Sequence, residues 1–173
     1  MKYDFSGLEN IFNAIDSASV EKAVNAINTH KKIFVYGAGR SGLMLKALAM
    51  RLAQAGRTVY VVGETVTPAI EKNDLLILAS ASGTTQSVLR YAETAKKVGA
   101  DLYIITASQE SPLSKIAGDV GACLPAPTKD TQSVKTCIMG SLFEQALLLF
   151  ADYIIASLNE NTDKMRKRHA NLE

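Results

Sequence analysis

Short aliphatic and β-branched runs alternate with longer amphipathic ones along most of this chain, and that alternation narrows the fold more than any other feature. The runs are Ile33-Phe34-Val35-Tyr36, Thr58 to Val62, Leu75-Leu76-Ile77-Leu78, Leu102 to Thr106 and a weaker Val120 to Leu124. They are short and largely apolar throughout, so each reads as a strand buried on both faces. Such strands separated by helices build a parallel sheet covered on both sides. Right-handed crossovers then leave few topologies. The expectation is an α/β, three-layer, doubly wound fold with a five-stranded parallel sheet in the order 2-1-3-4-5.

The intervening segments read as helices. Leu8 to Asn28 is broken near Asp16-Ser17, where an N-cap restarts it. Ser41 to Ala55 is closed by Gly56, and Gln86 to Val98 by Gly99. A short helix spans Leu113 to Ala117, and Pro125 and Pro127 end the last strand. A polar loop runs to about Val134, a long apolar helix follows within Ile138 to Leu158, and the tail from Asn161 is polar and basic. The 173 residues therefore read as one domain, with a helical segment at about 1–29 and a tail at about 161–173.

Composition excludes several classes. With 47% hydrophobic and 21% charged residues the chain is not disordered, and a net charge of +2 is too mild for nucleic acid or an anionic membrane. Glu144, Gln145 and Asp152 interrupt the longest apolar stretch, so it is not a bilayer span. Met1 to Phe5 carries no signal-peptide core. Cys123 and Cys137 stand 14 residues apart with no histidine near either, which gives two free thiols in a reducing cytoplasm and no zinc site.

In a sheet of this order ligands bind where the order reverses, between strands one and three. The loops there are Gly37-Ala38-Gly39-Arg40-Ser41-Gly42 and Ser80-Ala81-Ser82-Gly83-Thr84-Thr85. The first matches G-x-G-x-x-G, and Glu64 follows it by 22 positions, the spacing of a dinucleotide site. The same glycines also suit a turn that only packs strand on helix, or a cradle for another phosphate ligand, with Arg40 adding an anion-binding fork. The second loop favours the phosphate. Ser80, Ser82, Thr84, Thr85 and Ser87 put five hydroxyls into eight positions around Gly83 at a helix start, where one would suffice as a cap.

Glu144 sits in Phe143-Glu144-Gln145-Ala146-Leu147-Leu148-Leu149-Phe150. A carboxyl in such apolar surroundings is either raised toward the range of a general base, or is paired with a buried arginine or exposed on the helix's polar edge. His30, at a helix end before Lys31-Lys32, reads as a surface residue; His169, in the basic tail, reads by itself as part of a solvated end. Tyr91 and Tyr153 read as helix packing residues.

Ser80-x-Ser82-Gly83-x-Thr85 after a third strand resembles the sugar isomerase domain, a phosphosugar-binding fold. Further stretches resemble its 6-phospho-3-hexuloisomerase family: Gly-Ala-Gly-Arg-Ser-Gly-Leu-Met from Gly37, Ala-Met-Arg-Leu from Ala49, Val-Gly-Glu from Val62, Met-Gly-Ser-Leu-Phe-Glu-Gln from Met139 and Arg-His-Ala-Asn-Leu-Glu from Arg168. The likeness runs from about residue 30 to the end. It implies interconversion of D-arabino-hex-3-ulose 6-phosphate and fructose 6-phosphate, in formaldehyde fixation or in reverse in archaeal pentose synthesis. It also implies a cytoplasmic homo-oligomer, commonly a tetramer, with no required cofactor. Ala81, Thr84 and Ile138 depart from the family's usual glycine, charged residue and proline.

On that resemblance Glu144 is the candidate base for an enediol step and His169 the shuttle for the oxygen-bound proton. Ser80, Ser82, Gly83, Thr84, Thr85 and Ser87 would hold the phosphate, and Gly39, Arg40 and Ser41 the rest of the substrate. A long helix apolar almost all round points to self-association, with His169 supplied by a second copy. The competing readings are a phosphosugar sensor without catalysis, an NAD-dependent enzyme and an isomerase of another phosphosugar.

Overall fold

Parallel pairing runs unbroken across the sheet. The computed structural model describes residues 4–118, 121–128 and 138–172. Its strands are β1 (Lys32–Gly37), β2 (Thr58–Val61), β3 (Leu75–Ser80), β4 (Asp101–Thr106) and β5 (Gly121–Cys123). They lie in the order β2-β1-β3-β4-β5, as the alternation predicts. Ile33 pairs with Leu75 and Leu75 with Asp101, so β3 is central, and all six of its residues are buried. The expected fifth strand is shorter than its sequence run. Val120 lies outside the described residues, and Leu124 is already followed by Pro125.

Seven helices are described: α1 (Ser6–Ala14), α2 (Ser17–Thr29), α3 (Gly39–Gln54), α4 (Gln86–Val98), α5 (Pro112–Ala117), α6 (Ser141–Ser157) and α7 (Thr162–Lys167). Successive strand residues face opposite sides of the sheet. Ile33, Val35, Ile77, Tyr103 and Ile105 meet α1, α2, α3 and α6 on one side. Phe34, Leu76, Leu78 and Ile104 meet α4 and α5 on the other. Side chains as fully covered as Phe143 and Phe150 each contribute about 1.5–3 kcal/mol. Tyr103 is anchored as well as buried: its hydroxyl donates to the Ser19 carbonyl at 2.8 Å and ties β4 to α2.

Local signals explain the helix boundaries. Asp16 accepts from the Ala18 N–H at 3.0 Å, which ends α1 and starts α2 where the sequence suggested. Gly99, at φ +82°, closes α4 as the left-handed residue that a C-terminus favours. The tail from Asn161 is exposed apart from Met165, as its charge suggests, but it is tied down. Asn161 caps α7, Met165 packs on the core, and Arg168 lies over Gly56 and donates to the Gln54 carbonyl at 3.3 Å.

Three readings change, of His30, Tyr153 and the long helix. His30 is not a surface group. Its ring is 12% exposed, with Nδ1 2.7 Å from the Ala26 carbonyl and Nε2 2.8 Å from Asp101. Tyr91 packs edge-on against Tyr36, but Tyr153 is 59% exposed. The long helix α6 is buried along one side only. Leu148, Leu149 and Tyr153 face outward, and Leu43 and Met50 of the neighbouring α3 are also exposed. Cys123 is a half-buried free thiol, its pKa pushed up by burial, while Cys137 lies outside the described residues. None of the described helices is long and apolar enough to cross a membrane.

Candidate functional site

The strand order reverses between β1 and β3, and the two loops there share a cavity of about 180 Å³. The loop after β3 is cross-linked by its own hydroxyls. Ser80 Oγ accepts from the Gly83 N–H at 3.2 Å and lies 3.1 Å from Thr85 Oγ1. Ser82 Oγ accepts from the Thr84 N–H at 3.3 Å and lies 2.9 Å from Thr84 Oγ1. Gly83 is buried at φ +62°, and a Cβ there would stand 2.2 Å from Ser111 Oγ. Its carbonyl accepts from the Leu113 N–H at 3.1 Å, so α5 pins the loop from behind. Ala81, unlike Gly83, has no positive φ, so the usual glycine is not needed there.

The loop after β1 uses its glycines for close approach. A Cβ at Gly42 would stand 2.2 Å from the Gly37 carbonyl oxygen. That accounts for two of the three fingerprint glycines by strand-to-helix packing. Glu64, the acidic residue a ribose would need, is paired with Lys46 at 2.7 Å. Among the described residues no contact favours the dinucleotide reading.

Three helices begin at the cavity. Their N-cap residues Ala38, Thr85 and Gly140 belong to α3, α4 and α6, and none supplies a side-chain cap. Each of these residues lines the cavity or its mouth. The other helices differ: Asp16, Ser111 and Asn161 cap α2, α5 and α7, and Asp4 accepts from the Ser6 N–H at the start of α1. The first N–H groups of a helix have no internal partner and carry its positive dipole end. Three such ends converging with hydroxyls make a site for an anion.

Glu144 enters from the first turn of α6. A 3₁₀ turn, Ile138–Gly140, precedes it, with Met139 at φ +56° and Gly140 at φ +76°. The side chain is 14% exposed. Its buried Oε2 lies 3.3 Å from Arg40 Nε, an ion pair without hydrogen-bond geometry. Burial raises the carboxyl pKa, and the Arg40 charge opposes that shift without cancelling it. Both sequence readings of Glu144 thus hold in part, since its partner is an arginine but a half-exposed one. Arg40 also donates through Nη2 to the Met139 carbonyl.

The cavity brings together Arg40, Ser41, Ser80, Ser82, Thr85 and Glu144. Gly83 supports the loop from beneath, and Thr84 is exposed beyond Ser82. Gly39 is exposed, in the neighbouring hollow beside Gly37 and Glu64. Ser87 is half-buried in the first turn of α4, outside the lining. His169 is not brought in. Its neighbour Arg168 holds the Gln54 carbonyl, at the opposite end of α3 from Arg40. Fourteen helical steps of about 1.5 Å set those ends roughly 20 Å apart.

Sequence reasoning missed Thr128, Met139 and Gly140 as lining residues. The Met-Gly pair before α6 was a signal for the last two; a single threonine in a proline-bearing loop gave none. Larger hollows of about 280 Å³ beside Cys123 and about 490 Å³ beside His30 are bordered by no uncapped helix start. Among the described residues no three His, Cys, Asp or Glu side chains cluster as metal ligands would.

Comparison with known proteins adds to this geometry. Residues 26–149 match the SIS domain. The chain is 42% identical to the 3-hexulose-6-phosphate isomerase of Mycobacterium gastri, over 92% of this chain and 82% of that one. It is 40% identical to the Bacillus subtilis protein of the same name, over 96% and 93%. A Methanococcus jannaschii crystal structure, from which a 3-hexulose-6-phosphate isomerase function was inferred, superposes with a TM-score of 0.85. That protein is 34% identical, over 98% of each chain.

Proposed function

The chain belongs to the SIS domain family, among the 3-hexulose-6-phosphate isomerases, and from that premise we propose that it interconverts D-arabino-hex-3-ulose 6-phosphate and fructose 6-phosphate. The observation that carries this reading is one cavity holding three uncapped helix starts, a hydroxyl-rich loop and a largely buried carboxylate. The first two suit a phosphorylated sugar, and the third suits a proton transfer.

The phosphate would rest on Ser80, Ser82 and Thr85 with the start of α4. Glu144 would take the proton from C2 of the 3-ketose, and the electron pair would form the C2–C3 double bond of an enediol. Returning that proton to C3 leaves the carbonyl at C2. A raised carboxyl pKa suits this work, because a base is most effective near the working pH. Negative charge developing on the oxygens would face the starts of α3 and α6.

The proton that moves between O2 and O3 needs a shuttle. His169 fits that role only from another copy, since in its own chain it lies a helix length away. The exposed apolar residues Leu43 and Met50 of α3 and Leu148, Leu149 and Tyr153 of α6 support a homo-oligomer, which we take to be the family's tetramer. A doubly charged sugar phosphate does not cross a bilayer, so the reading puts the enzyme in the cytoplasm with its substrate.

The test is an isomerase assay with enzymatically generated hex-3-ulose 6-phosphate, coupled to detection of fructose 6-phosphate, without added metal. Turnover is expected. Glu144→Gln should lower it by about 10³-fold while fructose 6-phosphate still binds. Binding without turnover by the native protein would refute this isomerase reaction and leave a phosphosugar sensor or an isomerase of another phosphosugar.

A further inference from the structure

Arg40 is the only cationic side chain among the described residues lining the cavity, and it is already engaged. Its Nε lies 3.3 Å from Glu144 Oε2, and its Nη2 donates to the Met139 carbonyl. The two contacts differ in kind. The one to Met139 is a hydrogen bond to backbone held at φ +56° and followed by Gly140 at φ +76°. The one to Glu144 lacks hydrogen-bond geometry and leaves Oε2 buried and unbonded. Arg40 is therefore tethered to the turn before α6 and only rests on the carboxylate.

The site must also admit a dianion. Arg40 is half-exposed, on the first turn of α3, and borders the same space as Ser80, Ser82 and Thr85. Two charges attract as the inverse of their separation, and a phosphate or an ionised enediol oxygen competes for a guanidinium with at least the charge of one carboxylate. The fork has nitrogens to spare, so it can pivot about Met139 without losing that anchor.

We propose that Arg40 is a clamp displaced by substrate: it rests on Glu144 until substrate binds, then swings to the sugar phosphate's oxygens and frees the carboxylate as a base. The proposal rests on the isomerase reading for the role of Glu144, but the exchange of partners is testable by binding alone. No bond is made or broken in the exchange; one ion pair replaces another. The role separates Arg40 from a residue that only binds phosphate, because it ties occupancy of the site to the proton affinity of the base. Arg40, from α3, is the charged group facing Glu144 among the described residues.

The experiment follows the Glu144 carboxyl by carbon NMR in protein labelled at glutamate, with Glu144→Gln for assignment. The native protein, Arg40→Gln and Arg40→Lys are titrated with and without saturating fructose 6-phosphate. In the native protein, ligand should raise the Glu144 midpoint by about one pH unit, tenfold in proton affinity. In Arg40→Gln the midpoint of the free protein should already be raised, and ligand should add only the smaller direct effect of the phosphate. Arg40→Lys should restore part of the ligand response. A ligand-induced rise of equal size in the native protein and Arg40→Gln would overturn the clamp. So would an unchanged midpoint in free Arg40→Gln. Turnover of the native protein is measured alongside, so loss of the clamp with turnover intact is distinct from failure of the isomerase reading. If fructose 6-phosphate does not bind the native protein at all, both fall.

Discussion

Replacing Gly83 with alanine sets a backbone conformation and a contact against the stability of the whole domain. The residue sits at φ +62°, and an alanine there pays about 1–2 kcal/mol for the left-handed region. The added Cβ would also lie 2.2 Å from Ser111 Oγ and 2.3 Å from Ser111 Cβ, distances that force movement. Ser111 is not free to move without loss, because its hydroxyl caps α5 through the Ser114 N–H at 3.1 Å. Losing that cap costs about 1 kcal/mol more. Gly83→Ala should therefore destabilise the protein by about 3 kcal/mol in urea denaturation. Ser111→Gly removes the obstructing atoms at a cost of about 0.5 kcal/mol, since glycine is itself tolerated as a cap. The double variant should lose only about 2 kcal/mol, less than the sum, with a coupling of about 1.5 kcal/mol. Fructose 6-phosphate affinity should fall with Gly83→Ala and recover in part with the pair. Additive losses, or Gly83→Ala within 0.5 kcal/mol of native, would refute the packing argument.

Other outcomes follow from features already described. Glu144→Gln should be more stable than the native protein at neutral pH: burial raises the folded carboxyl's pKa, so native stability is lost as pH rises through that value. The advantage should shrink toward zero below the ordinary carboxylate range, where Glu144 is protonated folded and unfolded alike; thermal melts across pH check this. Inactive Glu144→Gln and His169→Ala chains, refolded together, should regain activity if His169 acts in another copy's cavity, and no recovery would count against that arrangement. Tyr103→Phe should cost about 1–2 kcal/mol in denaturant melts, because the Ser19 carbonyl it leaves behind is buried.

The sheet was legible because its signals are local and periodic. Strand runs, glycine closures and the Asp16 break are each written within a few residues, and handed crossovers convert them into an order. The hydroxyl loop was legible for the same reason. The partner of Glu144 was not, since Arg40 meets the α6 turn across 99 residues of sequence. Nor does composition reveal that Met139 adopts a positive φ, which depends on how α6 docks. His30 looked like a surface residue because lysines follow it; its ring instead closes on Asp101, which the topology carries to the start of β4. The tail is solvated as its charge suggests, but Arg168 also finds the carbonyl end of α3, a partner that no local pattern announces.

The three uncapped helix starts have a consequence outside chemistry. Helix caps are worth about 1 kcal/mol each, so the empty protein forgoes stabilisation at one end of its sheet that an anion there could return. Its melting temperature then becomes a reading of the buffer as much as of the chain. A preparation in inorganic phosphate and one in a neutral organic buffer would look like proteins of different robustness, though not one residue distinguished them.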